Sequence, residues 1–242
     1  MSRTIRLAIE SATDLLSVAV AREGEPVVSA TLAGPRRHAS AMLSLIEQVL
    51  RPLGAGPSDL ALVAVSDGPG SFTGLRVGIA AAKALALGGG IPLWTAPSLL
   101  VRAIGVGRSG ERVLAVSPAL RGEVYAGAWQ VRPAERVVEL LRPRTLGPAD
   151  LGDLPPFDRV VGDGPDDLLS DLAQRAGVPV IGGPAGWPSA EGLLQLIEVP
   201  GGACLVEDPA SWEPTYGRPA EAQAKWERAH GRPLPDSSDR PV

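Results

Sequence analysis

A glycine-rich run holds the residues whose types and spacing could do chemistry. The run Asp-Gly-Pro-Gly-Ser-Phe-Thr-Gly-Leu-Arg extends from Asp67 to Arg76, between an apolar stretch and an alanine-rich stretch. This layout predicts a strand, a sharp turn and a helix, and glycine lets the backbone of such a turn approach another group closely. The free N–H groups at a helix start suit an anion. The run could therefore bind phosphate or form a tight structural turn.

The glycine spacing matches neither of the two common nucleotide-binding motifs. The run lacks the Gly-Lys-Ser/Thr ending of a P-loop, and its glycines lie one residue too far apart for the dinucleotide pattern. A second glycine turn, 162–164, follows a predicted strand at 159–161. Weak binding of ATP or ADP stays open, and no cofactor is assigned. The candidate phosphate contacts are Glu10, Gly68, Gly70, Ser71, Thr73, Gly74, Asp163 and Gly164.

Neither a metal centre nor a catalytic group is predicted from the histidines and the cysteine. His38 and His230 are the only histidines, and Met42, which is not a ligand, lies four residues after His38. The single cysteine, Cys204, lies in an apolar run, which predicts a small core residue. One cysteine excludes an internal disulfide and fits a reducing cytoplasm. We expect a cytoplasmic protein without a signal peptide or a membrane span.

The charge of the chain bears on its partners. It carries 27 Asp and Glu against 23 Lys and Arg, a net charge of −4. An acidic protein without a basic stripe does not capture a polyanion well. If the protein serves RNA chemistry, we therefore expect another subunit to hold the RNA.

Hydrophobic periodicity predicts a mixed α/β chain in two parts. The first part has three short strands, a helix over 37–53 whose apolar residues follow a three-four spacing, a strand over 60–65 and an alanine-rich helix over 74–88. The second part repeats strands and helices less regularly. The predicted lobes are 1–96, with 210–229 packed on it, and 97–209, followed by a loose tail at 230–242.

Several runs of this sequence resemble the TsaB (YeaZ) family. The glycine run follows an opening Leu-Ala-Ile-Glu-Ser-Ala-Thr that ends at Thr13, and the likeness continues to the C-terminal run at 214–218. The resemblance implies the two-lobed α/β fold called ASKHA, shared by actin, sugar kinases and chaperone ATPases. It also implies a role in making threonylcarbamoyladenosine at tRNA position 37, as a partner of the catalytic paralogue TsaD, with TsaE as a further ATPase.

Departures from the ASKHA nucleotide site argue that this chain is not itself a catalyst. Where that site has Asp-x-Gly-Ser/Thr, this chain has Glu10 to Thr13, with a methyl at Ala12 in place of the glycine hydrogen. Ser98 and Arg102 stand where the catalytic paralogue has two histidines, and an arginine cannot ligate a metal as imidazole does. The family's Asp-Ala-Arg reads Pro-Ala-Leu at 118–120. The alternative is an active ATPase or phosphotransferase using loops 68–74 and 162–164.

The resemblance implies that TsaD docks on the two helices of the first lobe. An apolar stripe and small residues on these helices suit such a contact, and without TsaD the same surface predicts a homodimer. The stripe could instead be consumed by the chain's own sheet. We expect tRNA to be contacted only indirectly. The predicted interface residues are His38, Met42, Leu45, Ile46, Val49, Arg76, Ala80, Lys83 and Ala84.

Overall fold

The computed structural model describes residues 4–34, 37–119, 122–132 and 136–214 of the 242-residue chain. Ten strands and five α-helices lie in these ranges. In chain order they are β1 (Ile5–Glu10), β2 (Leu15–Arg22), β3 (Val28–Ala33), α1 (His38–Leu50), β4 (Leu60–Ser66), α2 (Phe72–Gly89), β5 (Leu93–Ala96), α3 (Ser98–Val106), β6 (Arg112–Pro118), β7 (Val124–Arg132), β8 (Arg136–Leu146), β9 (Arg159–Gly162), α4 (Asp166–Ala176), α5 (Ala190–Glu198) and β10 (Cys204–Leu205).

The first sheet has the strand order β10-β5-β4-β1-β2-β3. Short turns connect β1 to β2 and β2 to β3, and each of these pairs is antiparallel. Longer connections that contain helices lead to β4 and β5, and the pairs β1–β4 and β4–β5 are parallel. Helices α1 and α2 cover one face, because their apolar residues pack with those of the strands in a single buried cluster. The glycine run therefore lies at the carboxyl end of β4, where it opens α2.

The second sheet has the strand order β8-β7-β6-β9, with β6 and β9 parallel. Helix α4 packs on one face through Leu168 and Leu172, and α3 packs on the other. Both faces of the central strands are covered, so these strands are apolar nearly throughout.

A shared core joins the two lobes. Helices α3 and α5 lie between the sheets, and alanines of the first sheet, Ala8, Ala19 and Ala64, meet apolar side chains of the second, such as Val113 and Trp129, in the same cluster. Small side chains on a sheet let the covering helices approach closely. This arrangement confirms the predicted two-lobed α/β fold.

The structure differs from the predictions at three places. Helix α1 ends at Leu50, and residues 51–53 form a 3₁₀ turn before Gly54 takes a left-handed conformation at φ 60°. The expected second lobe runs to 209, but β10 pairs with β5, so the chain rejoins the first sheet at 204. On this edge strand Cys204 is exposed, and its prediction as a core residue is wrong.

The predicted C-terminal segments fall almost entirely outside the described residues. Of the segment expected to pack on the first lobe, only residues 210–214 are described. They lie beside α2, where the Lys83 ammonium is 5.7 Å from the centre of the Trp212 ring. Among the described residues, no helix is long and apolar enough to cross a membrane.

Candidate functional site

The glycine loop is held tightly against the turn that follows β1. A side-chain carbon on Gly70 would lie 2.4 Å from the Ala12 carbonyl oxygen, and one on Gly74 would lie 2.2 Å from the Ser11 carbonyl oxygen. A β-carbon does not come this close to an oxygen to which it is not bonded, so these two positions require glycine. The glycines let the chain approach itself, which favours the tight-turn interpretation of the run over phosphate binding.

The start of α2 is already hydrogen-bonded within the chain. The Ser71 N–H donates to the Ala12 carbonyl at 2.7 Å, and the Ser71 hydroxyl accepts from the Gly74 N–H at 3.2 Å. These are donors that an anion would otherwise use at a helix start. The Gly68 carbonyl in turn accepts from the Ser98 N–H at 2.8 Å, which ties the loop to α3. The loop is thus a structural junction of three elements.

A cavity of about 280 Å³ lies between the starts of α1 and α2. Its polar lining includes Asp14, His38, Ser71 and the exposed Thr73. His38 is only 6% exposed, and its Nε2 has no hydrogen-bond partner among the described residues. His38 therefore borders this cavity and does not present an outer surface to a partner.

A second group of polar side chains meets where α3 packs beside the turn after β9. Arg102 on α3 is 3% exposed, and its Nη1 donates to Asp163 Oδ2 at 3.1 Å and to the Gly186 carbonyl at 3.2 Å. The other oxygen of Asp163 accepts from the Gly183 N–H at 3.0 Å. Asp163 is therefore held from both sides. A side-chain carbon on Gly164 would lie 2.7 Å from Val124, so this glycine too serves close packing.

Glu10 is fully buried at the end of β1 in the first sheet. Its Oε1 accepts from the Ala12 N–H at 2.7 Å. Burial raises the pKa of Glu10 to about 7, although the Ala12 N–H and the charge of Arg102 act to lower it. The carboxyl that stands at the ASKHA aspartate position is thus turned inward and serves its own turn.

Asp67, which the sequence analysis did not single out as a site residue, is a second carboxyl with a shifted pKa. It precedes the glycine loop, where burial raises its pKa to about 6. Its position directly after the apolar strand β4 is the feature of the sequence that could have identified it as a site residue. Among the described residues, no three His, Cys, Asp or Glu side chains come together as a metal-binding group.

The predicted interface residues divide into a buried set and an exposed set. Arg76, Ala80 and Ala84 are exposed on α2. Lys83 is half-buried and lies against the segment that ends at Trp212, so it serves the chain's own packing. The apolar stripe of α1 is buried against the first sheet and His38 is buried beside the cavity, so neither offers an outer surface in this structure, and their role at an interface stays a prediction. The buried stripe is Met42, Leu45, Ile46 and Val49.

The exposed apolar surface of the two helices is formed mostly by residues that the sequence analysis missed. Leu43 is 69% exposed and Leu87 is 54% exposed, although both are large hydrophobic residues. On α2 the exposed residues recur every three or four positions and so lie in one stripe. We call the following set the helix-pair face: Ala39 and Leu43 on α1, and Ala80, Ala84 and Leu87 on α2.

Comparison with known proteins gives the family. The tRNA threonylcarbamoyladenosine biosynthesis protein TsaB of Escherichia coli strain K12 is 32% identical over 197 residues, covering 78% of this chain and 84% of that protein. The chain belongs to the TsaB family. The predicted membership is therefore confirmed.

Solved structures agree with this membership. A crystal structure of a protein similar to the peptidase YeaZ from Pseudomonas aeruginosa has a TM-score of 0.72 at 27% identity, covering 90% of this chain and 100% of that one. YeaZ from Pseudomonas aeruginosa has a TM-score of 0.67 at 29% identity, covering 81% and 91%. The family model for TsaD, tRNA N6-adenosine threonylcarbamoyltransferase, matches residues 32–140, which include both helices of the helix-pair face. This chain is therefore similar to the TsaD family from the end of β3 into β8.

Proposed function

We propose that this chain is the non-catalytic partner of a TsaD transferase, required for threonylcarbamoylation of adenosine 37 in tRNAs that read codons beginning with adenine. The TsaB membership supports the pathway, since the Escherichia coli relative is named for threonylcarbamoyladenosine biosynthesis. The single observation that carries the partner role is the helix-pair face.

The helix-pair face suits a helix-to-helix contact. Leu43 and Leu87 supply apolar side chains, and the alanines of α2 let another helix come close to its backbone. Exposed leucines on two neighbouring helices are costly in water unless a partner covers them. We assign TsaD as that partner because its family model matches the same helices, so that two related folds would meet through equivalent surfaces.

The non-catalytic role is supported by how the chain uses its own polar groups. The backbone of the glycine loop bonds to the turn at Ser11 and Ala12, and Asp163 is paired with Arg102. A phosphate-binding loop needs free N–H groups and space for the ligand. In this proposal TsaD supplies the catalytic groups, TsaE joins the larger complex, and the acidic chain contacts tRNA only through its partners.

Light scattering coupled to size-exclusion chromatography tests the partner role. The chain is run alone, mixed with TsaD from the same organism, and mixed with TsaD after Leu43→Arg substitution. We expect a homodimer alone, a one-to-one complex with TsaD, and loss of that complex with the variant. A wild-type chain that elutes unchanged with TsaD would overturn the partner role.

Calorimetry of the purified chain with magnesium-ATP tests the non-catalytic role separately. We expect no heat of binding, because the glycine loop and Asp163 are bonded to groups of the chain itself. Tight binding that is lost on Gly70→Val or Asp163→Ala would instead support the ATPase interpretation.

A further inference from the structure

We infer that the cavity between the starts of α1 and α2 is a binding site for the carboxylate group of a small organic acid. Its donors are the His38 imidazole and the first backbone N–H groups of α1. The inference concerns this chain alone and does not depend on TsaD.

Two helices begin at this cavity, which is the first observation. Helix α1 has 13 residues and contributes His38 and Ala39 to the lining, whereas α2 has 18 residues and contributes Thr73 and Gly74. The N-terminal end of each helix carries a positive partial charge and backbone N–H groups without a partner inside the helix. Two such ends beside one cavity favour an anionic ligand.

Within the described part of the chain, no side chain caps the start of α1, which is the second observation. The residue before this helix, Arg37, makes no side-chain cap hydrogen bond, and the first turn contains no acidic residue. Helix α2 differs, because the Ser71 hydroxyl caps it by accepting from the Gly74 N–H. The start of α1 is therefore the one of the two that still lacks a side-chain acceptor.

The burial of His38 is the third observation, and it is independent of the helix ends. His38 is 6% exposed and lines the cavity, and its Nε2 has no hydrogen-bond partner among the described residues. Buried polar atoms of native proteins nearly always have a partner, and leaving one unpaired is costly. An imidazole Nε2 that carries its hydrogen donates well to a carboxylate oxygen. A carboxylate in the cavity thus supplies an acceptor that this part of the chain does not.

The size and lining of the cavity select the class of acid. Its volume of about 280 Å³ lies below the range of about 300–1,000 Å³ for pockets that hold drug-sized ligands, so the ligand is small. Asp14 also lines the cavity, and its charge repels a dianion such as hydrogen phosphate more strongly than a monoanion. Ala39 and Val77 offer methyl groups to the carbon chain of the acid. These features together fit a small monocarboxylic acid.

Titration of the chain with sodium acetate, followed by ¹⁵N NMR, tests the inference. The chain has two histidines, so a His230→Gln variant assigns the His38 Nε2 signal. We expect this signal and the Ala39 amide signal to move saturably, with a midpoint of about 1–10 mM acetate. Sodium chloride of equal ionic strength and neutral acetamide should not reproduce the shifts. Shifts that stay linear up to roughly 100 mM acetate, or that acetamide reproduces, would overturn the inference.

Sodium phosphate distinguishes between the two classes of anion. Under conditions where phosphate is a dianion, it should move the same signals with a weaker apparent affinity than acetate. Phosphate that binds as tightly as acetate, or more tightly, would contradict the assignment to a monocarboxylic acid.

Two substitutions locate the site. His38→Phe keeps a ring, removes the donor and should weaken acetate binding by about tenfold or more, measured on the Ala39 amide signal. Val77→Met serves if His38→Phe does not fold, because it fills the cavity while His38 stays in place, and it should abolish the saturable shift. Ala80→Met, at an exposed position of the same helix, is the matched control and should bind acetate like the wild type. Wild-type affinity in either cavity variant would contradict the site.

Discussion

Met42 and Leu43 are neighbours on α1 and lie in opposite environments. Met42 is 2% exposed and packs in the core of the first lobe, whereas Leu43 is 69% exposed. One residue along a helix turns the side chain by 100°, so the apolar stripe faces the sheet and Leu43 faces outward. The surface of α1 that is available to a partner is therefore the one beside the stripe.

Replacing Leu43 by arginine should weaken TsaD binding without weakening the fold. A charge at the centre of an apolar contact is left without a partner, and we expect the affinity to fall by about tenfold or more. Isothermal titration against TsaD measures this loss. Leu140→Arg, at an exposed leucine on β8, is the matched control and should bind normally. Equal affinity of Leu43→Arg and the wild type would remove the helix-pair face from the proposal.

Replacing Met42 by alanine should have the opposite pattern. The substitution leaves a cavity in the core of the first lobe and should lower the free energy of unfolding by about 2–5 kcal/mol. Urea unfolding measures this change. Affinity for TsaD at a temperature where the variant is folded should stay close to that of the wild type. A stable Met42→Ala chain with lost TsaD binding would support the predicted role of Met42 as an interface residue.

Two glycines of α2 should respond oppositely to alanine. Gly74→Ala places a methyl group against the Ser11 carbonyl and should destabilise the chain by about 2 kcal/mol or more. Gly88→Ala meets nothing within 4 Å and should stabilise it by about 0.5–1 kcal/mol, because alanine favours a helix. Thermal unfolding of both variants makes the comparison. A Gly74→Ala chain as stable as Gly88→Ala would mean that the loop does not need its close contact with the turn.

Stability should fall as the pH rises from about 4.5 to about 7. Between the unfolded pKa of Glu10, 4.5, and its folded pKa, about 7, the folded chain holds a proton that the unfolded chain has lost. Asp67 acts in the same direction between 3.8 and about 6. Glu10→Gln keeps an acceptor for the Ala12 N–H and should be more stable than the wild type at pH 8, by up to about 3 kcal/mol.

Denaturant unfolding at several pH values measures this dependence. Glu139→Gln on the exposed surface of β8 controls for the loss of one negative charge and should follow the wild-type curve. If Glu10→Gln kept the wild-type slope between pH 4.5 and 7, the buried carboxyl would not be the source of the dependence.

Removing one hydroxyl should loosen the seam between the lobes. The Ser17 hydroxyl on β2 accepts from the Ala190 N–H at the start of α5 at 3.0 Å, with both residues buried. Ser17→Ala leaves that N–H unpaired and should cost about 1–3 kcal/mol. Ser29→Ala, on the exposed side of the paired strand β3, should cost almost nothing. Thermal unfolding distinguishes the two, and equal melting temperatures would contradict this role of Ser17.

The sequence by itself determined the elements of the first lobe. Alternation and three-four spacing are local, so the strands around β1 and β2, the helix at α1 and the turn before α2 could be predicted from neighbouring residues. The glycine run, together with the other runs that resemble the family, was specific enough to indicate that family. The second lobe was predicted more coarsely, because its central strands β6 and β7 are buried on both faces and show little alternation.

Tertiary structure alone decided what the site residues do. Periodicity shows that Met42 and Val49 share a face, but only the position of the first sheet shows that this face is inward. Likewise Arg102 and Asp163 are 61 residues apart along the chain, yet they form an ion pair at 3.1 Å in the folded protein. Their charges meet only because folding places α3 beside the turn after β9, and the burial of Arg102 reduces screening by water.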